Sequence, residues 1–502
     1  MAFLFVQIVC VFLLILYLVF FCRHPLHWFL AVTIYGVSTL LTGGYLLADE
    51  FTGEGVTEAV LFHILYGLDG VKLSEFMLYI LAVVFSILAL VASVVLFWRL
   101  LVRRKGGGRY KFAELVALCG LGFFAVGLHP AALQSAQIAS EILETSGVAL
   151  DEELLGSELK KSKDSLRKSL VYIYVESLEG IFLRDDVFPG LAPNLAALER
   201  ESLHIRGIRQ APLTDWTIAG MVASQCGMPL ATFKMDRNDF SDVGGFMPGV
   251  TCLGEILQQE GYYSVFMGGA DLSFAGKGRF YKEHGFTEVI GKHELEAASQ
   301  DVLPLSKWGV YDDTLLDRAY ERFKSLADAE QPFALFLLTL DTHPPIGHKT
   351  PSCSGQIYGE GKSGILNAVK CSDQLVSNFV RKIEQYAGDD LVVVIASDHL
   401  QMRNDIHDFL VARDDQRDNL FIVRGAGIEA DLIERSATTL DIFPTLLHLL
   451  GWDVQGVALG RNLLDADETL VEKYGKEAFY SSLQKWRMQL WETWSPQSDV
   501  MR

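Results

Sequence analysis

Four long apolar stretches open the chain, and beyond them the pattern breaks into short apolar runs that alternate with amphipathic ones. The long stretches are Phe3 to Phe21, Trp28 to Ala48, Met77 to Trp98 and Phe112 to Ala132. Each suits a helix crossing about 30 Å of hydrocarbon, which takes roughly 20 residues. The first lacks a basic start and a small-residue cleavage site, so it reads as a retained helix and not as a signal peptide. From Leu170 onward the periodicity changes. Runs rich in Val, Ile and Leu predict strands over Leu170–Val175, Tyr263–Met267, Phe333–Leu340, Leu391–Ala396 and Leu420–Val423. Helical patterns fall between them, over Asn194–Ser202, Leu253–Glu260, Tyr311–Leu326, Asn367–Tyr386 and Thr439–Leu450. Apolar strands separated by helices predict an α/β domain with a mainly parallel central sheet covered on both faces. The expected organisation is an α-helical membrane domain over 1–133, a polar linker over 134–169, a catalytic domain over 170–470 and a C-terminal tail over 471–502.

Half of the 502 residues are hydrophobic, and the surplus lies in the first third. The net charge of -19 excludes a nucleic-acid partner, which needs a basic footprint. The basic residues that matter lie between the apolar stretches. Arg99, Arg103, Arg104, Lys105, Arg109 and Lys111 crowd between the third and fourth, and Arg23 follows the first. By the positive-inside rule both connections are cytoplasmic, which places the chain after about residue 133 on the outer side. The connection from Asp49 to Glu75 is external too, and its "VTEAVLFHILYGL" suits either an interfacial helix or a plain connector. Of seven cysteines, Cys10, Cys22 and Cys119 lie in or beside membrane stretches, whereas Cys226, Cys252, Cys353 and Cys371 fall in the external part. An even number there suits a disulfide-permissive compartment. Three connectivities are possible, and Cys226–Cys252 with Cys353–Cys371 enclose the shortest loops. A structural metal site is the rival, without a CxxC spacing to support it.

The chemistry gathers where the apolar runs stop. "LVYIYVESLEG" ends on Glu176, "LVVVIASDHL" on Asp398 and His399, and "FALFLLTLDTHPP" on Asp341 and His343. Ends of parallel strands are where open α/β sheets bind ligands. Carboxylates with a histidine offer oxygen and imidazole ligands for a divalent ion such as Mn²⁺, Zn²⁺ or Mg²⁺. Between the first two predicted strands, "PLTDWTIAGMVASQCGMPL" puts Thr214 and Thr217 beside a small-residue helix whose N-terminus favours a phosphate. A threonine oxygen on a divalent cation loses its proton more readily and becomes a nucleophile. The plain alternative is that Thr214 is an N-cap.

"VYIYVESLE", "TDWTIAGMVASQCGMPL", "FAGKGRFYKEHGF", "WGVYDDTLLD", "LTLDTHPP", "SDHL" and "DNLFIVRG" together resemble the membrane-anchored sulfatase-like transferases of the alkaline phosphatase superfamily. That group includes lipoteichoic acid synthases, phosphoethanolamine transferases and phosphoglycerol transferases. The resemblance implies an alkaline-phosphatase/sulfatase-like catalytic domain in which Glu176, Asp398 and His399 hold the metal, Mn²⁺ first among the choices, together with Thr214 as nucleophile. Thr217 is the second choice for that role. His343 would touch the transferred phosphoryl head or assist the leaving group, Phe274 and Lys277 would meet the lipid headgroup, and Trp308 and Asp312 would line the same pocket. The implied reaction moves phosphoglycerol from phosphatidylglycerol to a periplasmic glucan through a phospho-threonine and releases diacylglycerol. It implies a multi-pass protein of a bacterial inner membrane with its catalytic domain in the periplasm. Alternatives are a phosphoethanolamine transferase acting on lipid A or glucan, a metal-dependent lipid phosphodiesterase, and a non-catalytic sensor. A formylglycine sulfatase is disfavoured, because Cys226-Gly227-Met228-Pro229-Leu230 lacks the arginine of that motif.

Overall fold

The computed structural model describes residues 2–52, 77–103, 111–143, 168–231, 245–329, 331–387, 391–425, 427–487 and a few isolated positions between and after them. Most of the 49–75 connection, most of the basic connection after the third apolar stretch, and most of the linker fall outside the described residues, as do the last twelve positions of the tail. The chain divides into two compact units, one of residues 1–61 and 71–143, the other of residues 62–70 and 144–502.

The described elements of the first unit are all helices. Its helices are α1 (Ala2–Leu16), α2 (Pro25–Thr52), α3 (Met77–Arg103), α4 (Phe112–Gly122) and α5 (Pro130–Leu143). Short π-helical turns extend α1 over Tyr17–Phe21 and α4 over Phe123–Gly127. A small core around Leu14, Leu18, Ala31, Ile34 and Phe97 holds the unit together, while Phe5, Phe12, Phe85 and Leu88 stay exposed. That many exposed apolar side chains suit a lipid-facing surface. One described helix, over Pro25–Asp49, is by itself long and apolar enough to cross a membrane. The expected fourth stretch is not one straight helix. It breaks before Pro130, and the segments Phe112–Gly127 and Pro130–Ser140 meet at 66°. Proline lacks the N–H that would continue the ladder, and its fixed φ suits a new first turn. Residues 134–143, read above as the start of a linker, are therefore helical.

The second unit is built on an eight-stranded sheet. Its strands are β1 (Ser169–Tyr174), β2 (Leu203–Arg209), β3 (Tyr263–Gly268), β4 (Glu288–Ile290), β5 (Phe333–Leu338), β6 (Leu391–Ala396), β7 (Phe421–Gly425) and β8 (Asp431–Thr438). In space they run β4-β3-β5-β1-β6-β7-β2-β8. Every neighbouring pair is parallel except those made by β7, which runs against β6 and β2. The mainly parallel sheet is thus as the sequence predicts. β1, β5 and β6 are central and apolar, with nearly every side chain buried. In register, Tyr174 of β1 sits beside Leu338 of β5 and Ala396 of β6, so all three strands stop at one edge. The bridges Cys226–Cys252 and Cys353–Cys371 are both formed.

Candidate active site

The carboxyl ends of β1 and β6 deliver three ligating side chains to one point. Glu176 follows β1 and the pair Asp398-His399 follows β6, and one ligand atom from each lies within 4.8 Å of the other two. All three are fully buried. His399 Nδ1 lies 2.7 Å from the Leu400 carbonyl, which only accepts, so Nδ1 carries the proton and donates there. Nε2 therefore faces the carboxylates, 3.3 Å from Glu176 Oε1 and 3.4 Å from Asp398 Oδ2. A histidine whose second nitrogen donates to a carbonyl is oriented as metal-bound histidines are.

Ser177 fixes the two acids. Its backbone is left-handed, with φ of 53°, which is uncommon for a residue with a side chain. In that turn its N–H donates to Asp398 Oδ1 at 2.8 Å and its hydroxyl to Glu176 Oε1 at 2.9 Å. The Glu176 N–H donates to the Thr339 hydroxyl at 3.1 Å. Asp398 Oδ2 is buried without a hydrogen-bond partner, an arrangement that is costly unless a cation completes it.

The charges make the same point. Burial raises Glu176, but His343 and His399 outweigh it and bring the carboxyl down to about 2. Burial and the neighbouring Glu176 push Asp398 up to about 7. Burial opposes charge on His399, yet Asp398 and Glu176 raise it to about 10. Two buried carboxylates draw in positive charge, and a proton on His399 answers that demand where a dication can answer it instead. The donor set thus fits a divalent cation. A second group, Cys252, Glu255 and His284, has ligand-like spacing, but Cys252 is bonded to Cys226 and is no ligand.

The threonine beside this centre is Thr217. Its hydroxyl is 3.5 Å from both Glu176 Oε2 and His399 Nε2. Thr217 opens the ten-residue helix α7 (Thr217–Cys226), whose first N–H groups have no partner within the helix and favour an anion. Thr214, expected as nucleophile and ligand, is placed otherwise. It is fully buried, and its hydroxyl donates to the Ala211 carbonyl at 2.8 Å and accepts from the Ala211 N–H at 3.1 Å. Its oxygen closes a turn at Ala211 and does not cap the helix, whose N-cap is Trp216, and it joins none of the three ligands. Cys226 ends the same helix, in a disulfide, so a formylglycine derived from it has no place here.

Helix α7 lies directly on a ligand's backbone. A Cβ at Gly220 would meet the Asp398 carbonyl oxygen at 1.9 Å, a separation no real side chain shows. The Gly220→Ala protein is expected to lose about 100-fold in turnover, because a retreat of roughly 1 Å moves Thr217 away from Glu176 and His399. Wild-type turnover with an unshifted unfolding midpoint would show that the helix can give.

The other expected residues gather on one side, with one exception. His343 donates from Nδ1 to the Pro344 carbonyl at 2.6 Å, which leaves Nε2 as its open nitrogen, and burial lowers its pKa. Trp308 packs on the His343 ring with centroids 4.1 Å apart, and Phe274 lies 6.5 Å from Trp308. Lys277 holds its ammonium 4.7 Å over Phe274. Burial brings Lys277 down to about 8, against the pull of Glu176 and Asp398. The exception is Asp312, which is turned to the backbone. Its carboxylate accepts from the N–H groups of Leu340 and Asp341 at 2.7 and 3.1 Å, so it shapes the loop that carries His343. A supporting pair went unread in the sequence: Arg417 forks onto the buried Glu179, which also accepts from the Gln401 N–H. The signal was present, since Glu179 stands three residues after Glu176 in the same quoted run.

Residues 170–452 match the family model described as Sulfatase, and residues 1–146 match the model described as phosphoglycerol transferase I, N-terminal domain. The protein named phosphoglycerol transferase I of Xanthomonas axonopodis pv. citri (strain 306) is 39% identical over 438 residues, covering 85% of this chain and 60% of that relative. Its namesake of Escherichia coli O6:K15:H31 (strain 536 / UPEC) is 36% identical over 444 residues, covering 87% of this chain and 57% of that relative. The chain therefore spans less than two thirds of the length of these relatives. A solved structure of a protein in the alkaline phosphatase superfamily from Vibrio parahaemolyticus aligns with a TM-score of 0.52 at 20% identity, over 72% of this chain and 98% of that one. At that identity the likeness speaks for the fold alone. With more than half of its length under the one family model, the chain belongs to the sulfatase family.

Proposed function

We propose that the protein transfers phosphoglycerol from phosphatidylglycerol to a periplasmic glucan, with Thr217 as the nucleophile. The observation that carries this reading is the Thr217 hydroxyl at 3.5 Å from both Glu176 and His399, at the mouth of a helix N-terminus. The names of the relatives support the headgroup. Glu176, Asp398 and His399 would hold a divalent cation, Mn²⁺ by preference, which when bound supplies a Lewis acid that eases loss of the threonine proton and offsets phosphoryl charge.

The chain's own residues do the rest. Thr217 Oγ1 attacks phosphorus, the bond from phosphorus to the diacylglycerol oxygen breaks, and the proton given up by the threonine is balanced by the one the departing alcohol takes. His343, with Nε2 open, is the group that moves it. A glycerophosphoryl-threonine remains. An acceptor hydroxyl then attacks the same phosphorus from the vacated side, His343 takes its proton, and Thr217 leaves with its hydroxyl restored. Lys277 and the N–H groups at the start of α7 stabilise the charged equatorial oxygens throughout. Phe274 and Trp308 frame the headgroup. The apolar helix Pro25–Asp49 and the N-terminal family match support a multi-pass protein of the bacterial inner membrane, and the two disulfides agree with a periplasmic catalytic domain.

The full chain in detergent, given Mn²⁺ and phosphatidylglycerol, is expected to release diacylglycerol and to gain one glycerophosphoryl group on the peptide that carries Thr217, as read by mass spectrometry. Gain of a phosphoethanolamine group from phosphatidylethanolamine, with none from phosphatidylglycerol, would overturn the donor. Release of diacylglycerol with no adduct at any threonine would replace the transferase by a hydrolase that uses water directly.

A further inference from the structure

A second concave site lies on the catalytic unit, and none of the residues discussed above lines it. It is a groove of about 550 Å³ formed where the segment after the metal-ligand pair packs beside the start of α9 (Gly364–Ala387), with Phe188, Tyr358, Arg403, Asn404, Asp408 and Phe409 in its lining. We infer that this groove is a subsite for a neutral oligosaccharide, the acceptor chain of the transfer reaction.

The lining decides the class of ligand. Tyr358 and Phe409 line the groove half-buried, with the buried Phe188 packed on Phe409, and their open apolar ring surface suits the C–H face of a pyranose. Between them stand groups that both donate and accept: a guanidinium, a carboxamide and carboxylates, the complement of a ring of hydroxyls. Arg403 and Asp408 are exposed and Asn404 is half-buried. The charge balance speaks against the obvious rivals. Arg403 shares the lining with Asp405 and Asp408, so the groove holds more negative than positive groups and an anionic headgroup or a second phosphate meets net repulsion. An acyl chain would bury those same charges without partners.

The groove is joined to the reaction centre by a short chain of hydrogen bonds. Asn404 Nδ2 donates to Gln401 Oε1 at 2.9 Å. Gln401 Nε2 donates to the carbonyl of Thr342, the neighbour of His343, at 2.8 Å. Thr342 in turn donates its hydroxyl to the Glu176 carbonyl. Asp405 pins the floor by accepting from Ser363 Oγ and Gly364 N, both at 2.8 Å, and Tyr358 N–H donates to Asn367 Oδ1 at 2.8 Å. Arg413 packs 3.7 Å from the Phe409 ring centroid and braces it from outside the groove. A sugar chain held here is fixed to the loops that carry His399 and His343.

The inference rests on the transferase reading, so its test is read without donor and without turnover. Neutral glucose tetramers of several linkages are titrated into the full chain in detergent and followed by saturation-transfer NMR and calorimetry. At least one tetramer is expected to bind, and Tyr358→Ala and Phe409→Ala are each expected to weaken it about tenfold, the loss of one ring's stacking at roughly 1.4 kcal/mol. Tyr358→Phe keeps the ring and should retain binding, which separates stacking from a damaged fold. Thr217→Ala should bind the tetramer as the wild type does. Binding of no tetramer, or equal binding by both alanine variants with unchanged unfolding midpoints, overturns the groove. An absent lipid reaction with intact tetramer binding overturns the transferase reading and leaves the groove standing.

Discussion

The Thr217→Ala protein is expected to fold, to keep its cation, and to lose turnover by about 10⁴-fold or more, as enzymes do when a covalent nucleophile is deleted. Thr214→Ala is expected to behave in the opposite way. Thr214 holds the Ala211 N–H in a buried turn, so its loss costs about 1–3 kcal/mol for the unpaired donor, with turnover within a few-fold of wild type at temperatures where the fold holds. Thr217→Ser keeps the hydroxyl and should recover most of the activity. Initial rates of diacylglycerol release, beside thermal unfolding of the same three proteins, decide the matter. Residual adduct on Thr214 in the Thr217→Ala protein would reverse the assignment.

Glu176→Gln is expected to cost about 10³-fold in turnover, since it preserves shape while it removes a full charge from the group that would stabilise the transferred phosphoryl. The same change should abolish the rise in unfolding temperature that Mn²⁺ gives the wild type. Ser177→Ala removes only the hydroxyl that orients Glu176 and should weaken the cation by about 10–100-fold, the usual effect of losing an outer partner of a ligand. An Mn²⁺ response that survives in Glu176→Gln, with turnover intact, would move the cation elsewhere.

The sheet was legible wherever a strand is buried on both faces. β1, β5 and β6 are near-continuous apolar runs, and the ends of β1 and β6 bring Glu176, Asp398 and His399 together in space. Three strands left no such trace. β8 alternates exposed polar residues at the sheet edge, β2 is interrupted by Gly207 where its register with β8 shifts, and β4 has three residues. The site was legible in its ligands and ambiguous in its nucleophile. Two threonines three positions apart flank a helix start, and which one faces the ligands depends on where the first turn begins. That is fixed by Trp216 as N-cap and by the contact of Gly220 with Asp398, a tertiary fact with no counterpart in local propensity. Asp312 misled for a related reason: an acid next to an aromatic in "WGVYDD" reads the same whether it meets a ligand or the chain's own N–H groups.

The bridge from Cys226 to Cys252 joins the last residue of the nucleophile's helix to the N-cap of the next one, Leu253–Gln259. The bridge closes the chain between these two cysteines into a loop. Lengthening such a closed loop adds only a logarithmic increment of entropy, but its first residues are tied to the turn before Thr217, since the Leu230 N–H donates to the Leu213 carbonyl at 3.1 Å. The crosslink therefore fixes the end of Thr217's helix against the start of the next one whatever the length of chain between them, while a change at Leu230 still reaches the turn before Thr217.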